Sequence, residues 1–114
     1  MSEADCIFCR IVRGEIDAEV VRDEDDVLAF EDINSKAPVH VLVIPRQHVA
    51  NLEEIRALPD TVVKRLFEVA SEVAEKLGVT EGGYAVRINN GRDAGQEVFH
   101  LHLHLMGGKK LGMP

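Results

Sequence analysis

Three histidines recur at every second position in "HLHLHLM", residues 100–106, and two cysteines stand three apart in "CIFC", residues 6–9. Alternation of His with Leu at period two is the pattern of a half-buried strand. On such a strand His100, His102 and His104 point to one face, and Leu101, Leu103 and Leu105 to the other. The leucines read as core. The imidazoles then form a row, about 6.5–7 Å from step to step, on a face the core does not need. Two chemistries are open to that row. Neutral imidazoles at H-x-H spacing can direct two rings to one metal ion. An imidazole can also attack phosphorus while its neighbours hold the developing charge.

The surrounding residues favour attack on phosphorus. A nucleotide needs an apolar slot for its base, a carboxylate for its ribose hydroxyls and backbone N–H groups for its phosphate. Asp32 follows Phe30 near the end of an expected strand, and the Gly-rich "NNGRDAGQE", residues 89–97, offers exposed amides just before the histidines. His40, beside Leu42 on another expected strand, can face the same site. Cys6 and Cys9 form a C-x-x-C, which in a cytosolic chain suggests a metal or redox pair more than a structural disulfide. The competing reading makes them small apolar residues on a short helix.

These groups must be positioned by a single domain, residues 1–114, long enough to bury about two thirds of its unfolded surface. Residues 5–13 carry Ile7, Phe8, Ile11 and Val12 at helical spacing after a possible Asp5 cap. A hairpin is expected over the apolar runs 20–21 and 27–30, with Asp23–Asp26 as its solvated turn. "VHVLVIP", residues 39–45, is a β-branched strand bounded by Pro38 and Pro45. Residues 60–77 form the clearest helix. Val62, Leu66, Val69, Val73 and Leu77 make its stripe, thickened by Val63, Phe67, Ala70 and Ala74, with Asp60 as cap and Gly78 as stop. Two further strands are expected near 84–89 and 99–105. Strands in hairpin order with one long helix inserted predict an α+β fold with an antiparallel sheet.

Composition excludes other classes. A net charge of −7 disfavours nonspecific nucleic-acid binding, which needs basic surface to neutralise phosphates. No apolar run approaches the ~18–20 residues of a membrane span. The start "MSEADCIFCR" does not read as a signal peptide, so a cytoplasmic protein is expected.

The stretch His100–Met106 matches the His-φ-His-φ-His-φ-φ signature of the histidine triad superfamily, φ being apolar. "DCIFCRIVRGEI", "LAFEDINSKAPVHVLVIPRQHV" and "GQEVFHLHLHLMGG" resemble its nucleotide-binding branch in order, over roughly residues 5–108. The resemblance implies an antiparallel sheet of about five strands with one long helix and a short N-terminal helix, paired as a sheet-joined homodimer. It implies a purine nucleotide such as AMP, or an adenosine phosphoramidate, as ligand. The activity implied is hydrolysis of the P–N bond in nucleoside 5′-phosphoramidates, with no cofactor needed for catalysis. Alternatives are a dinucleoside polyphosphate hydrolase, a nucleotide-binding or regulatory dimer with weak catalysis, and a pure His-metal protein.

Carried over by residue, the resemblance makes His102 the nucleophile and His104 and His40 its phosphate or leaving-group partners, with His100 completing the triad. Asp32 corresponds to the ribose-binding carboxylate, and Ile7, Phe8, Ile11, Phe30, Ile33 and Leu42 to the base pocket. Asn89, Gly95, Gln96 and Glu97 correspond to phosphate-loop positions. Glu97 departs from the family, where many members carry Ser; its carboxylate would repel phosphate unless turned outward, leaving only its amide to contribute. Cys6 and Cys9 with His48 and His100 resemble a Cys2His2 structural zinc site of some relatives. The tail "KKLGMP" is expected near a partner's site.

Overall fold

The computed structural model describes residues 5–112, so the segment 1–4 and the end of the tail, 113–114, lie outside the described residues. Helix α1, Ile7–Val12, is capped by Cys6, whose Sγ accepts the Cys9 N–H at 3.3 Å, in place of the expected Asp5. Strands β1 (Val20–Asp23), β2 (Val27–Glu31) and β3 (Val39–Pro45) follow, with β1 and β2 in the expected hairpin. A 3-10 turn, Leu52–Ala57, leads into helix α2, Asp60–Lys76, and strands β4 (Tyr84–Arg87) and β5 (Leu103–Gly107) complete the chain. The strands form one fully antiparallel sheet in the order β1-β2-β3-β5-β4.

Alternation along β2, β3 and β5 divides the side chains between two layers. Val27, Ala29, Val41, Val43, Leu103 and Leu105 pack against Val62, Leu66, Val69, Ala70, Val73 and Ala74 of α2. On the opposite face Leu28, Phe30, Leu42 and Ile44 pack against Cys6, Phe8 and Cys9 of the α1 region. With only six residues, α1 covers part of that face. A cleft occupies the rest.

Helix α2 begins after Pro59, which makes no side-chain cap bond; Asp60 is the first helical residue, where its charge favours the N-terminal dipole. It ends as expected at Gly78, whose φ of +79° suits the left-handed position after the last turn. There the Val79 N–H reaches the Ala74 carbonyl at 3.0 Å, and the Gly78 N–H the Glu75 carbonyl at 3.1 Å. Phe67 departs from the expected stripe, being 48% exposed, and Leu77 is turned outward as well. In the acidic turn Asp23, Asp25 and Asp26 are exposed as expected, and Glu24 alone is half-buried. Glu24 binds Arg22 at 2.8 Å and Arg65 at 2.6 Å, and both arginines reach Glu72 on α2. The Arg65 guanidinium, seconded by Arg22, holds the Glu24 carboxyl down to about 2.

Among the described residues no helix is long and apolar enough to cross a membrane.

Candidate active site and metal centre

The three histidines run in one direction but do not share one strand. The sheet ladder of β5 begins at Leu103, so His100 and His102 precede it, contrary to the expected strand over 99–105. The cause is a partner distant in the chain: the Leu101 N–H bonds the Val49 carbonyl at 2.8 Å instead of a sheet neighbour. Leu101, Leu103 and Leu105 nevertheless all enter the α2-side core, which fixes the histidines on the α1 side.

His102 is held by one hydrogen bond and one ring contact. Its Nδ1 lies 2.7 Å from the His100 carbonyl, a pure acceptor, so Nδ1 carries the proton and Nε2 keeps its lone pair. Phe8 of α1 meets the ring edge-on, with centroids 5.1 Å apart. Burial lowers the His102 pKa, which keeps the ring neutral.

His104 and His40 form a directed pair. The Lys36 N–H donates to His40 Nδ1 at 3.0 Å, so the His40 proton sits on Nε2. That nitrogen faces His104 Nδ1 at 3.0 Å and Asp32 Oδ2 at 3.4 Å. When His40 donates to His104, the His104 proton is fixed on Nε2. Burial, with smaller contributions from neighbouring His102 and His40, lowers His104 to about 4; burial also lowers His40. Asp32, His40 and His104 are close enough to share an ion, but the described bonds already occupy His40 Nδ1 and the nitrogens between the rings.

These groups open on a cleft of about 520 Å³, within the range of small-molecule sites. Its lining brings together Ile7, Phe8, Ile11, Phe30, Asp32, Ile33, His40, Leu42, Asn89, Gly95, Glu97, His102 and His104. Ile33 sits at the mouth, 94% exposed. Two expected residues do not line it. Gln96 is buried behind the loop, where its side-chain amide bonds the Ala50 and Val98 carbonyls and its Oε1 accepts the Gly91 N–H at 2.8 Å. It braces the loop from within, which leaves its side chain no part in binding. The loop's turn needs Gly95, whose φ is +84°.

His100 is the other exception. Fully buried, it turns away from the cleft into a second cluster. Its Nε2–H donates to the Pro45 carbonyl at 2.7 Å, leaving Nδ1 bare. Around that nitrogen stand Cys6 Sγ at 3.4 Å, Cys9 Sγ at 3.5 Å and His48 Nδ1 at 3.3 Å, while Cys9 Sγ lies 3.2 Å from His48 Nδ1. Tetrahedral zinc with bonds of about 2.0–2.3 Å requires ligand–ligand separations of roughly 3.3–3.8 Å. The cluster is close to that geometry. The Pro45 carbonyl behind His100 is the kind of outer partner that orients a ligating imidazole. The donor set therefore fits Zn²⁺.

Sequence reasoning did not assign Arg87, Lys36, Ile16, Asp17, Val98 or Met106 to the cleft. Met106 is within the histidine motif and two residues beyond His104, so alternation could have placed it. Arg87 depends on the β4–β5 register, which local patterning does not reveal.

Residues 13–111 match the HIT domain family. A purine nucleoside phosphoramidase of Escherichia coli is 41% identical over 93% of this chain and 89% of its own. An uncharacterized HIT-like protein of Synechococcus elongatus is 46% identical over 100% of this chain and 98% of its own. The crystal structure of a histidine triad protein from Clostridium difficile, 43% identical, superposes with a TM-score of 0.90 over 100% of this chain and 99% of that one. A HIT family hydrolase from Clostridium thermocellum gives 0.88 at 41% identity, over 96% of each chain. Sequence and fold together make this chain a member of the HIT-domain family.

Proposed function

We propose that this chain is a nucleotide hydrolase that cleaves the P–N bond of adenosine 5′-phosphoramidates through a nucleotidyl-His102 intermediate. One observation carries the reading: the His100 carbonyl fixes the His102 proton on Nδ1 at 2.7 Å and leaves Nε2 as a bare nucleophile in the cleft. The E. coli relative, named for this activity, supports the choice of phosphoramidate.

Nε2 attacks the α-phosphorus, and the P–N bond breaks with its electron pair going to nitrogen. The amine leaves after taking a proton from solvent, and water then cleaves the His–P bond and returns a proton to solvent. His104 donates from Nε2 to a phosphoryl oxygen, kept in that tautomer by His40. The loop amides near Gly95 and Glu97 add donors. Asn89, whose Oδ1 is taken by the Arg87 Nε–H at 3.1 Å, has its NH2 group left to offer. Asp32 receives the ribose hydroxyls, and the base lies among Ile7, Phe8, Ile11, Phe30 and Leu42, with Ile33 closing the mouth. No cofactor enters these steps.

Cys6, Cys9, His48 and His100 would hold a structural zinc, tying α1 to the backbone that carries His102. A homodimer would cover the exposed Val86 on edge strand β4 and Phe67 on α2.

The test is turnover of AMP phosphoramidate. His102→Ala is expected to abolish it while AMP binding is largely kept; full activity in that variant contradicts the mechanism.

A further inference from the structure

The C-x-x-C pair carries a redox chemistry of its own that neither the cleft reaction nor a structural metal uses. Cys6 and Cys9 stand as thiols at the start of α1, Cys6 fully buried and Cys9 6% exposed. Residues three apart at a helix start bring their side chains to one side, and here the two sulfurs lie within 4.8 Å of each other. One helical turn also sets the Cα atoms about 5–5.5 Å apart, inside the span a disulfide bridges. Side-chain rotation is enough to close the bond. Cys9 lies on the more open side: its Sγ is 3.2 Å from Nδ1 of the half-buried His48, whereas Cys6 is closed in by His100. A small oxidant therefore meets Cys9 first.

What the pair touches makes its redox state matter to the cleft. Between the two cysteines lie Ile7 and Phe8, both in the cleft lining, and Phe8 meets the Phe30 ring at 5.4 Å and the His102 ring at 5.1 Å. Cys6 Sγ also caps α1 by accepting the Cys9 N–H at 3.3 Å. Behind them His100 Nδ1 stands 3.4 Å from Cys6 Sγ and 3.5 Å from Cys9 Sγ. Its Nε2–H is committed to the Pro45 carbonyl, so Nδ1 is an acceptor that a thiol S–H can serve. A disulfide has no S–H. It takes two of the three neighbours of that buried nitrogen out of bonding and leaves His48 at 3.3 Å. The His100 backbone, whose carbonyl holds His102 Nδ1 at 2.7 Å, then loses part of its anchorage.

We propose that Cys6 and Cys9 form an oxidisable dithiol, which a peroxide converts to a disulfide that weakens nucleotide binding in the cleft. The Cys9 sulfur attacks one peroxide oxygen, the O–O bond breaks, and a sulfenic acid and one water form. The Cys6 sulfur then displaces the hydroxyl group as a second water, and the S–S bond closes. Two sulfurs are oxidised, two oxygens are reduced, and the two thiol protons end in the waters. A dithiol reductant reverses the change. With zinc in the cluster the two protons come from solvent, only His48 and His100 remain as ligands, and the ion is released. The redox step rests on the cysteines alone; its consequence for binding rests on the nucleotide reading of the cleft.

The experiment treats the reduced full chain, zinc-reconstituted and zinc-free, with a small excess of hydrogen peroxide. It follows intact mass with peptide mapping, zinc released to a colorimetric chelator, and AMP affinity by calorimetry. The mass of the metal-free polypeptide is expected to fall by two hydrogens, with the map joining Cys6 to Cys9. Zinc-loaded chain should release its ion in step. AMP affinity should drop by about tenfold, and dithiothreitol should restore it. The His102 ring nitrogens, followed by NMR, should shift on oxidation, which reads the coupling without any ligand. His102→Ala should form the disulfide as the wild type does, whereas Cys6→Ser should gain oxygen on Cys9 instead. No reaction in the wild type, or sulfinic and sulfonic products without the disulfide, overturns the dithiol assignment whether or not Cys6→Ser folds. A disulfide that leaves AMP affinity within twofold overturns the coupling. A reduced chain that binds no AMP overturns the nucleotide reading instead; the mass map and the ring shifts then still decide the dithiol and its link to His102.

Discussion

The His100 carbonyl accepts the His102 Nδ1–H at 2.7 Å, while the His100 ring reaches the opposite way into the Cys6–Cys9–His48 cluster. One residue therefore joins the proposed nucleophile to the cluster that would hold zinc. Its backbone sets the tautomer of the His102 ring, and its side chain anchors that backbone on the Pro45 carbonyl.

Purified protein reconstituted with zinc is expected to hold one ion per chain by elemental analysis. Cys9→Ala should lose the ion and lower Tm by about 10 °C or more, because ligand binding energy at such a centre is folding energy. A chain that takes up no zinc and keeps its stability contradicts the metal assignment.

In the proposed mechanism the His40–His104 pair fixes a proton on His104 Nε2. Removing that donor with His104→Ala should lower kcat by about 10²–10³-fold, in the range of single oxyanion-type donors. His40→Phe should produce a smaller loss of the same kind, with KM little changed. Rates within twofold of wild type in both variants would remove these rings from the mechanism.

Stability should fall as the solution is acidified through the histidine window. Burial places His104 at about 4, whereas an unfolded histidine titrates near 6.5, and His40 is shifted in the same direction. Between those values the unfolded chain binds more protons, so unfolding free energy rises with pH across the window and is flat above it. Glu24, held at about 2 by Arg65, begins to lose its contribution as the pH falls through the ordinary carboxylate value of 4.5 and so acts in the same direction at the acid end of the series. Urea midpoints at pH 7.5, 6, 5 and 4.5 should decline in that order below neutrality. Midpoints that increase toward pH 4.5 would contradict neutral burial of these rings.

Where a single element determined its own form, the sequence was legible. β3 spans Val39–Pro45 as expected, because a β-branched run lies there beside Pro38 and ends in Pro45. The body of α2 was legible through its stripe and Gly78. The alternating leucines correctly placed the histidines opposite the core. What escaped depended on distant partners. The bond from Leu101 to Val49 delays β5 to Leu103, and Cys6 displaces Asp5 as the α1 cap. Phe67 faces outward although its spacing fits the apolar stripe. At the site, motif spacing brought His40, His102, His104 and Asp32 to one cleft, but not Arg87, which arrives by strand register. The inward turn of the Gln96 side chain onto the Ala50 carbonyl likewise depends on a partner distant in the chain.

The most direct measurement is intact-mass and peptide mass spectrometry after rapid acid-free quenching of the chain with an adenosine phosphoramidate. A transient covalent adduct of one AMP unit is expected on His102, absent in His102→Ala. Steady turnover with no adduct at any quench time, or an adduct on another residue, would contradict it.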